Sequence, residues 1–289
     1  MTQSLRDLVA EELSLPVDPR VTDMASAIAA KHKHASRAVL FYGSCLRQKQ
    51  LDGLMLDFYL IVSEYQPAYA KRWLAAANAL VPPNVFYFEK DGLAAKYAVL
   101  SEADFLRLAG PATSNVSVWA RFAQPSRIVW AADEAARQTA IDAVAEAAPT
   151  LLASAGPKSR EPLVDLWRRA FALTYSAELR AERKGRAHSV VDDDPDRYLR
   201  IGKPALKAAQ ALRGKVATGW RLRRVEGKMT SVIRLAKASL TFAGGPDYIA
   251  WKINRHAGTN FVLKPWQRRH PLLAAISLLP RLLASGAVR

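Results

Sequence analysis

The sequence is poor in cysteine, in acidic residues and in long apolar runs. Its 289 residues include one cysteine, Cys45, which excludes an internal disulfide and is consistent with a reducing compartment. The N-terminal segment carries acidic residues in place of a basic head and an apolar run, so we expect no secretion signal. Internal repeats and low-complexity tracts are also absent. Half of the residues are apolar, which is typical of a globular protein with a substantial core.

The shortage of acidic residues leaves a strong positive charge. Aspartate and glutamate number 26 against 42 lysines and arginines, and the formal net charge is +16. This balance predicts attraction to a polyanion, which can be nucleic acid, anionic lipid or a small molecule rich in phosphate. The basic residues dominate from Lys158 onward. Charge alone does not choose among these partners.

The order of predicted elements is α/β first and mostly helical afterwards. A segment rich in proline, serine and glycine at 149–162 is the predicted linker. We therefore expect an α/β fold with a mixed sheet and flanking helices over 1–150, a helical domain over 160–242 and a basic amphipathic tail over 243–289. Strands are predicted at 37–42, 54–62, 84–89, 95–100 and 127–131. Helices are predicted at 4–14, 21–34, 68–80, 102–109, 132–147, 163–186, 203–213 and 230–240.

One carboxylate stands inside an otherwise apolar strand. In the segment MLDFYLIV at 55–62, alternation puts Asp57 on a strand face with Tyr59. A buried carboxylate needs a cation, a metal or solvent beside it. The preceding strand ends in Gly43 and Ser44, and a glycine-serine turn can hold phosphate. These residues predict a site for a nucleoside triphosphate and Mg²⁺. The alternative is structural: Gly43 makes a turn, and Asp57 pairs with Arg47 or Lys49.

The same stretch resembles a known signature. YGSC and MLDF at 42–45 and 55–58 are similar to the YGSG and MLDF of the mitochondrial-type phosphatidate cytidylyltransferases, the translocator-maintenance family of CDP-diacylglycerol synthases. Two departures are Cys45 in place of the second glycine and Phe86 in place of the histidine of an N-P-x-H-Y-S element. Further similar segments follow in the family's order: PNVFYF at 83–88, KYAVLS at 96–101, WARFAQPSRIVW at 119–130, ALTYSAELR at 172–180 and DDDPDRY at 192–198.

The resemblance implies a nucleotidyltransferase fold and a reaction of CTP with phosphatidic acid that yields CDP-diacylglycerol and pyrophosphate with Mg²⁺. It implies that Asp57 binds the metal, for which Glu64 is the first choice as a second carboxylate, and that Asp57, Ser44 and Lys96 are catalytic. The nucleotide would be bound by residues from both predicted domains: Gly43, Ser44, Lys96, Tyr97, Glu178 and Arg180.

The tail combines aromatic and basic residues with a short apolar run. The run at 272–279 is too short to span a bilayer, which needs about 20 residues. Such a segment suits the headgroup region of an anionic membrane. The alternative is a helix packed on the body of the protein. We expect a protein that lies peripherally on the cytoplasmic, inner face of a membrane and contacts it through Trp251, Lys252, Arg255, Trp266, Arg268 and Arg269.

Two other functions stay open at this point. The basic second half can also follow an RNA backbone, although we expect nucleic acid to be the less suitable partner. Tyr59 stands where the broader nucleotidyltransferase pattern D-x-D has its second aspartate, so a relative that binds lipid or nucleotide without turnover is also possible. The five histidines show no spacing typical of a metal site.

Overall fold

The computed structural model describes residues 3–48, 51–178, 190–212, 214–216, 219–241, 262 and 264–266. A five-stranded mixed sheet forms its centre, in the order β3-β4-β2-β1-β5. Strand β2 runs parallel to β4, whereas the pairs β1/β2, β1/β5 and β3/β4 are antiparallel. The strands are β1 (Ser36–Tyr42), β2 (Met55–Val62), β3 (Asn84–Lys90), β4 (Leu93–Ser101) and β5 (Ser126–Ala131).

The helices cover both faces of the sheet. A 3₁₀ turn, Lys33–Ala35, precedes β1. The α-helices up to β5 are α1 (Leu5–Leu13), α2 (Pro19–Lys31), α3 (Ser44–Gln48), α4 (Tyr65–Ala68), α5 (Arg72–Leu80), α6 (Glu102–Ala109) and α7 (Trp119–Phe122). Those after it are α8 (Glu134–Ala155), α9 (Leu163–Ala177), α10 (Pro195–Ala211) and α11 (Trp220–Thr241). The predicted α/β class and the five predicted strands are confirmed.

Alternation along the strands divides the core into two layers. On one face, Tyr59 and Ile61 of β2 pack in a cluster that includes side chains of α8, α9 and α10. On the other face, Phe58 and Leu60 pack in a cluster with α2. The central strands are therefore apolar on both sides along most of their length, as expected for a sheet covered by helices on both faces.

The predicted linker at 149–162 requires a correction. Helix α8 continues through the buried Pro149 to Ala155, so the connection to α9 is only 156–162, and a boundary at residue 150 falls inside a helix. Buried side chains of α9 and α10 belong to the same core cluster as those of the sheet. The helical part is thus packed directly on the α/β part.

A buried ion pair joins helix α1 to helix α10. Arg197 on α10 donates two hydrogen bonds to Glu12 on α1, with Nε–Oε2 and Nη2–Oε1 distances of 2.5 and 2.9 Å. Arg197 also donates to the Ala123 carbonyl at 3.1 Å. Helix α10 begins at the acidic segment 192–196, where Asp194 accepts a hydrogen bond from the Arg197 backbone as the N-cap. The acidic segment thus provides the N-terminal cap of this helix.

Within the described ranges, no helix combines the length and the apolar character that crossing a membrane requires. The predicted tail over 243–289 lies outside the described residues, apart from 262 and 264–266.

Candidate functional site

Asp57 lies near the start of β2, between two neighbouring strands that supply polar side chains. It pairs with Tyr42 on β1 and with Lys96 on β4. Lys96 Nζ is 3.0 Å from Asp57 Oδ1, and the Asp57 side chain is only 18% exposed. The pair has the distance of an ion pair but not the geometry of a hydrogen bond, because Oδ1 is buried without a hydrogen-bond partner in the described chain. Lys96 supplies the cation that the sequence required beside Asp57. The partners named in the alternative interpretation, Lys49 and the side chain of Arg47, lie outside the described residues.

Position 43 requires glycine, because its backbone lies against the Asp57 carboxylate. Its φ is +96°, a value that L side chains rarely adopt, and a Cβ added to it would lie 2.8 Å from Asp57 Oδ2. The sequence predicted that the turn at Gly43 and Ser44 can hold phosphate. In the structure, the group that approaches so closely is the carboxylate of Asp57 itself.

Ser44 and Cys45 follow in the short helix α3. Ser44 is half-buried at its first position, next to the contact between Gly43 and Asp57. Cys45 is buried, and its Sγ lies 3.5 Å from the Met55 carbonyl oxygen. Burial, together with the negative charge of Asp57, raises the pKa of the Cys45 thiol. This environment favours the protonated thiol over the thiolate.

Arg121 and Glu178 add a second pair of opposite charges. Arg121 lies on α7, Glu178 follows the last residue of α9, and Arg121 Nη1 is 3.8 Å from Glu178 Oε1. Burial alone would lower the pKa of Arg121, but Tyr59, Glu178, Tyr42 and Asp57 together raise it. Arg121 is therefore held as a cation between the helical part and the carboxylate of β2. The prediction had included Glu178 but not Arg121.

Helix α11 brings two more basic side chains to this side of the sheet. Arg234 donates to the Pro82 carbonyl through Nε at 2.9 Å and to Ser117 Oγ through Nη1 at 2.8 Å. Burial lowers the pKa of Arg234, against the opposing effect of Tyr59 and Glu178. Lys237 Nζ donates to the carbonyl oxygens of Val81 and Ala77, and burial, helped by Arg234, lowers its pKa to about 7.

These residues define what we call the Asp57 cluster: Asp57, Lys96, Arg121, Glu178 and Arg234. It holds three cationic groups and two carboxylates within electrostatic reach of Tyr42 and Tyr59. Burial, followed by the charge of Asp57, raises the pKa of Tyr42, so its hydroxyl stays protonated. The excess of positive charge suits an anionic group such as a phosphate.

Two of the predicted residues lie away from the cluster. Tyr97 points to the opposite face, where its hydroxyl lies 3.3 Å from His32 Nε2, because consecutive strand residues face opposite sides. Placing both Lys96 and Tyr97 at one nucleotide was therefore wrong. Glu64 lies beyond the far end of β2, roughly 23 Å along the strand from Asp57 at about 3.3 Å per residue. At this separation Glu64 and Asp57 cannot bind the same metal ion, so the expectation that they share one was wrong.

The remaining predicted residues lie mostly outside the described chain. This applies to Arg180 and to the membrane residues Trp251, Lys252, Arg255, Arg268 and Arg269. Trp266 is described, and its side chain is exposed. A surface depression of about 270 Å³ lies at α6, around Leu106 and Glu146.

Asp57 is the predicted carboxylate that could take part in binding a divalent ion. Among the described residues, no group of three His, Cys, Asp or Glu side chains converges in a way that could hold a metal. Mg²⁺ in phosphoryl-transfer sites is commonly bound by one or two carboxylates together with substrate phosphates and water. Asp57 could contribute one such carboxylate: its Oδ1 accepts no hydrogen bond within the described chain, and Lys96 Nζ lies 3.0 Å from it.

No protein-family model and no curated protein matches this chain. The functional interpretation therefore depends on the fold class and on the geometry of the Asp57 cluster.

Proposed function

We propose that the protein is a nucleotidyltransferase that transfers CMP from CTP to phosphatidic acid, or to a related lipid phosphate, at the inner surface of a membrane. The products are CDP-diacylglycerol and pyrophosphate. The observation that carries this proposal is Asp57, a largely buried carboxylate at the centre of the sheet, surrounded by the cations of the Asp57 cluster.

The cluster suits the charge changes of nucleotidyl transfer. Negative charge increases on the pyrophosphate as it leaves the α-phosphorus of CTP, so positive groups fixed beside it lower the barrier. Lys96 and Arg121 supply such groups from two different elements, β4 and α7. When bound at Asp57, Mg²⁺ would neutralise phosphate charge and orient the triphosphate.

Glu178 has a positioning role in this proposal. Its carboxylate lies 3.8 Å from the Arg121 guanidinium and holds that side chain on the side of the sheet where Asp57 lies. Because Glu178 comes from the end of α9, it also ties the helical part to the site. The predicted contribution of the helical part to the nucleotide site is consistent with this placement.

The proposed acceptor does not require a general base. A phosphate monoester is largely ionised near neutral pH, so it can attack without losing a proton to the protein. The buried His32, at the C-terminal end of α2, contacts Tyr97 on the opposite face of the sheet, and burial lowers its pKa. Catalysis would thus depend on positioning and electrostatic stabilisation, which the Asp57 cluster can provide.

The test is turnover by the full chain. We would incubate it with Mg²⁺ and each labelled nucleoside triphosphate in turn, with phosphatidate vesicles or RNA as the acceptor, and follow pyrophosphate and labelled lipid. The proposal predicts transfer from CTP to lipid. Turnover only with RNA would replace the acceptor, and tight binding of CTP without any pyrophosphate would refute the transferase.

A matched pair of arginine variants tests the role of the cluster. Arg121→Gln should raise KM for CTP about tenfold or more, because it removes a charged contact to phosphate. Arg107→Gln removes an arginine on α6 that pairs with Asp104 at the surface, and it should leave KM unchanged. Equal KM values in the two variants would exclude Arg121 from the triphosphate site.

A further inference from the structure

The outer face of α11 carries an exposed apolar stripe. Leu222, Val225, Met229 and Ile233 are separated by three, four and four residues, so they line one face of the helix. Their exposed fractions lie between 48% and 61%. A helix of a globular protein normally turns its apolar residues toward the core, so an exposed stripe of four large side chains indicates a contact surface.

Basic side chains flank this stripe on one side. Three basic residues, Arg221, Arg224 and Lys228, are exposed. Each precedes a stripe residue in the sequence and is offset from it by about one quarter to one third of a turn around the helix axis. In the described ranges none of the three forms an ion pair. The acidic residue of the helix, Glu226, is instead hydrogen-bonded to Ser114 at 2.6 Å. The outer face of α11 thus combines aliphatic groups with uncompensated positive charge.

The inner face of the same helix belongs to the candidate site. Arg234 of the Asp57 cluster projects from it, and Gly227 brings the helix so close to α9 that an added Cβ would lie 2.2 Å from the Ala177 carbonyl oxygen. An α-helix is about 10 Å across. A surface on which the outer face rests would therefore lie about one helix diameter from Arg234.

We propose that α11 docks the protein on an anionic lipid surface through the stripe and its basic flank. The aliphatic side chains enter the boundary between headgroups and acyl chains, and the three cations contact anionic headgroups, as in interfacial amphipathic helices. This contact is distinct from the one expected of the tail. Its consequence for catalysis, delivery of a lipid phosphate to the Asp57 cluster, rests on the proposed function.

The chemistry of the stripe favours lipid over the other polyanion. Single-stranded nucleic acid is bound by aromatic side chains on which bases stack, whereas these four residues are aliphatic or thioether. A second copy of this chain would bring a like charge against Arg221, Arg224 and Lys228. Lipid satisfies both the apolar and the basic part of the surface.

A probe on the stripe tests the contact directly. The lone cysteine is buried, so Met229→Cys in the full chain can carry an environment-sensitive fluorophore with Cys45→Ala as background. We expect the probe to brighten and shift to the blue with vesicles of phosphatidylcholine and phosphatidylserine. Vesicles of phosphatidylcholine alone should leave its emission unchanged. A matched probe at Leu106→Cys, an exposed position on α6, should not respond to either.

Substitution measures the strength of the contact. Met229→Asp should weaken binding to the anionic vesicles about tenfold or more, and Leu106→Asp should not. An unresponsive Met229 probe on a chain that still binds vesicles would overturn the inference in favour of the tail. A Met229 probe already shielded without vesicles would overturn it in favour of coverage by the chain itself or by a second copy.

An activity measurement separates this inference from the proposed function. Met229→Asp should lose transfer to phosphatidate in vesicles but keep transfer to a short-chain, water-soluble phosphatidate. If the wild type transfers CMP to neither acceptor, the proposed function fails while the probe result stands. If Met229→Asp transfers to vesicles as well as the wild type does, the docking role of α11 fails while the transferase stands.

Discussion

Gly43 and Gly92 are a matched pair for testing how closely the chain is fitted around Asp57. Both have positive φ, +96° and +76°, so replacing either by alanine costs about 1–2 kcal/mol of backbone strain. They differ in their surroundings. A Cβ at Gly92 meets nothing within 4 Å, whereas a Cβ at Gly43 lies 2.8 Å from Asp57 Oδ2 and 3.3 Å from Asp57 Cβ.

The expected effect of Gly43→Ala on the site exceeds its effect on stability. Oδ2 is the far end of a side chain that can rotate, so relief of the contact should cost only about 1 kcal/mol more than Gly92→Ala does. The rotation, however, moves the carboxylate away from Lys96. Nucleotidyl transfer should therefore fall about hundredfold in Gly43→Ala, while Gly92→Ala keeps its activity.

Two assays together decide this prediction. Urea denaturation gives the free energy of unfolding of both variants, and the same measurement in an Asp57→Ala background should abolish most of the additional cost of Gly43→Ala. Initial rates with CTP and phosphatidate vesicles give the loss of activity. Equal activities of folded Gly43→Ala and Gly92→Ala would refute the argument that Gly43 is present to accommodate the carboxylate.

Three further predictions concern stability. Arg197→Ala should lower the free energy of unfolding by about 3–5 kcal/mol in urea denaturation, because it leaves Glu12 buried without its partner; a loss below 1 kcal/mol would contradict this. Burial alone would raise the pKa of Glu12, but Arg197 and Arg127 lower it below 4.5. The stability that this ion pair contributes is therefore present above pH 4.5 and is lost as the pH falls through the pKa of Glu12 in the folded state. A wild-type stability independent of pH below 4.5 would contradict it. Gly227→Ala should lower the midpoint of thermal unfolding strongly, because its Cβ would meet backbone at Ala177, and an unchanged midpoint would show that α11 does not pack as described.

Local patterns were sufficient to predict most of the sheet. The alternation in MLDFYLIV predicted β2 and put Asp57 and Tyr59 on one face, as the structure has them. Helix α8 was predicted too short because a proline normally ends a helix, whereas Pro149 is buried inside this one. Helix α11 was predicted to start ten residues late, since Gly227 and a dense basic stretch obscured its pattern.

The partners of Asp57 depend on contacts between distant segments. Lys96 meets Asp57 because β2 and β4 pair in parallel, and Arg121 meets Glu178 because α7 packs near the end of α9. Neither pairing leaves a local signal in the sequence. The position of Tyr97 could have been predicted, since a residue adjacent to Lys96 on a strand must face the other side.

The central claim is that Asp57 is the residue on which nucleotidyl transfer depends. Its most direct test is the rate of CMP transfer from labelled CTP to phosphatidate vesicles by Asp57→Asn, compared with Asp52→Asn, which alters an exposed aspartate of the same β1–β2 segment. We expect a loss of about hundredfold or more for Asp57→Asn, with its fold retained, and wild-type activity for Asp52→Asn. Equal rates for the two folded variants would contradict it.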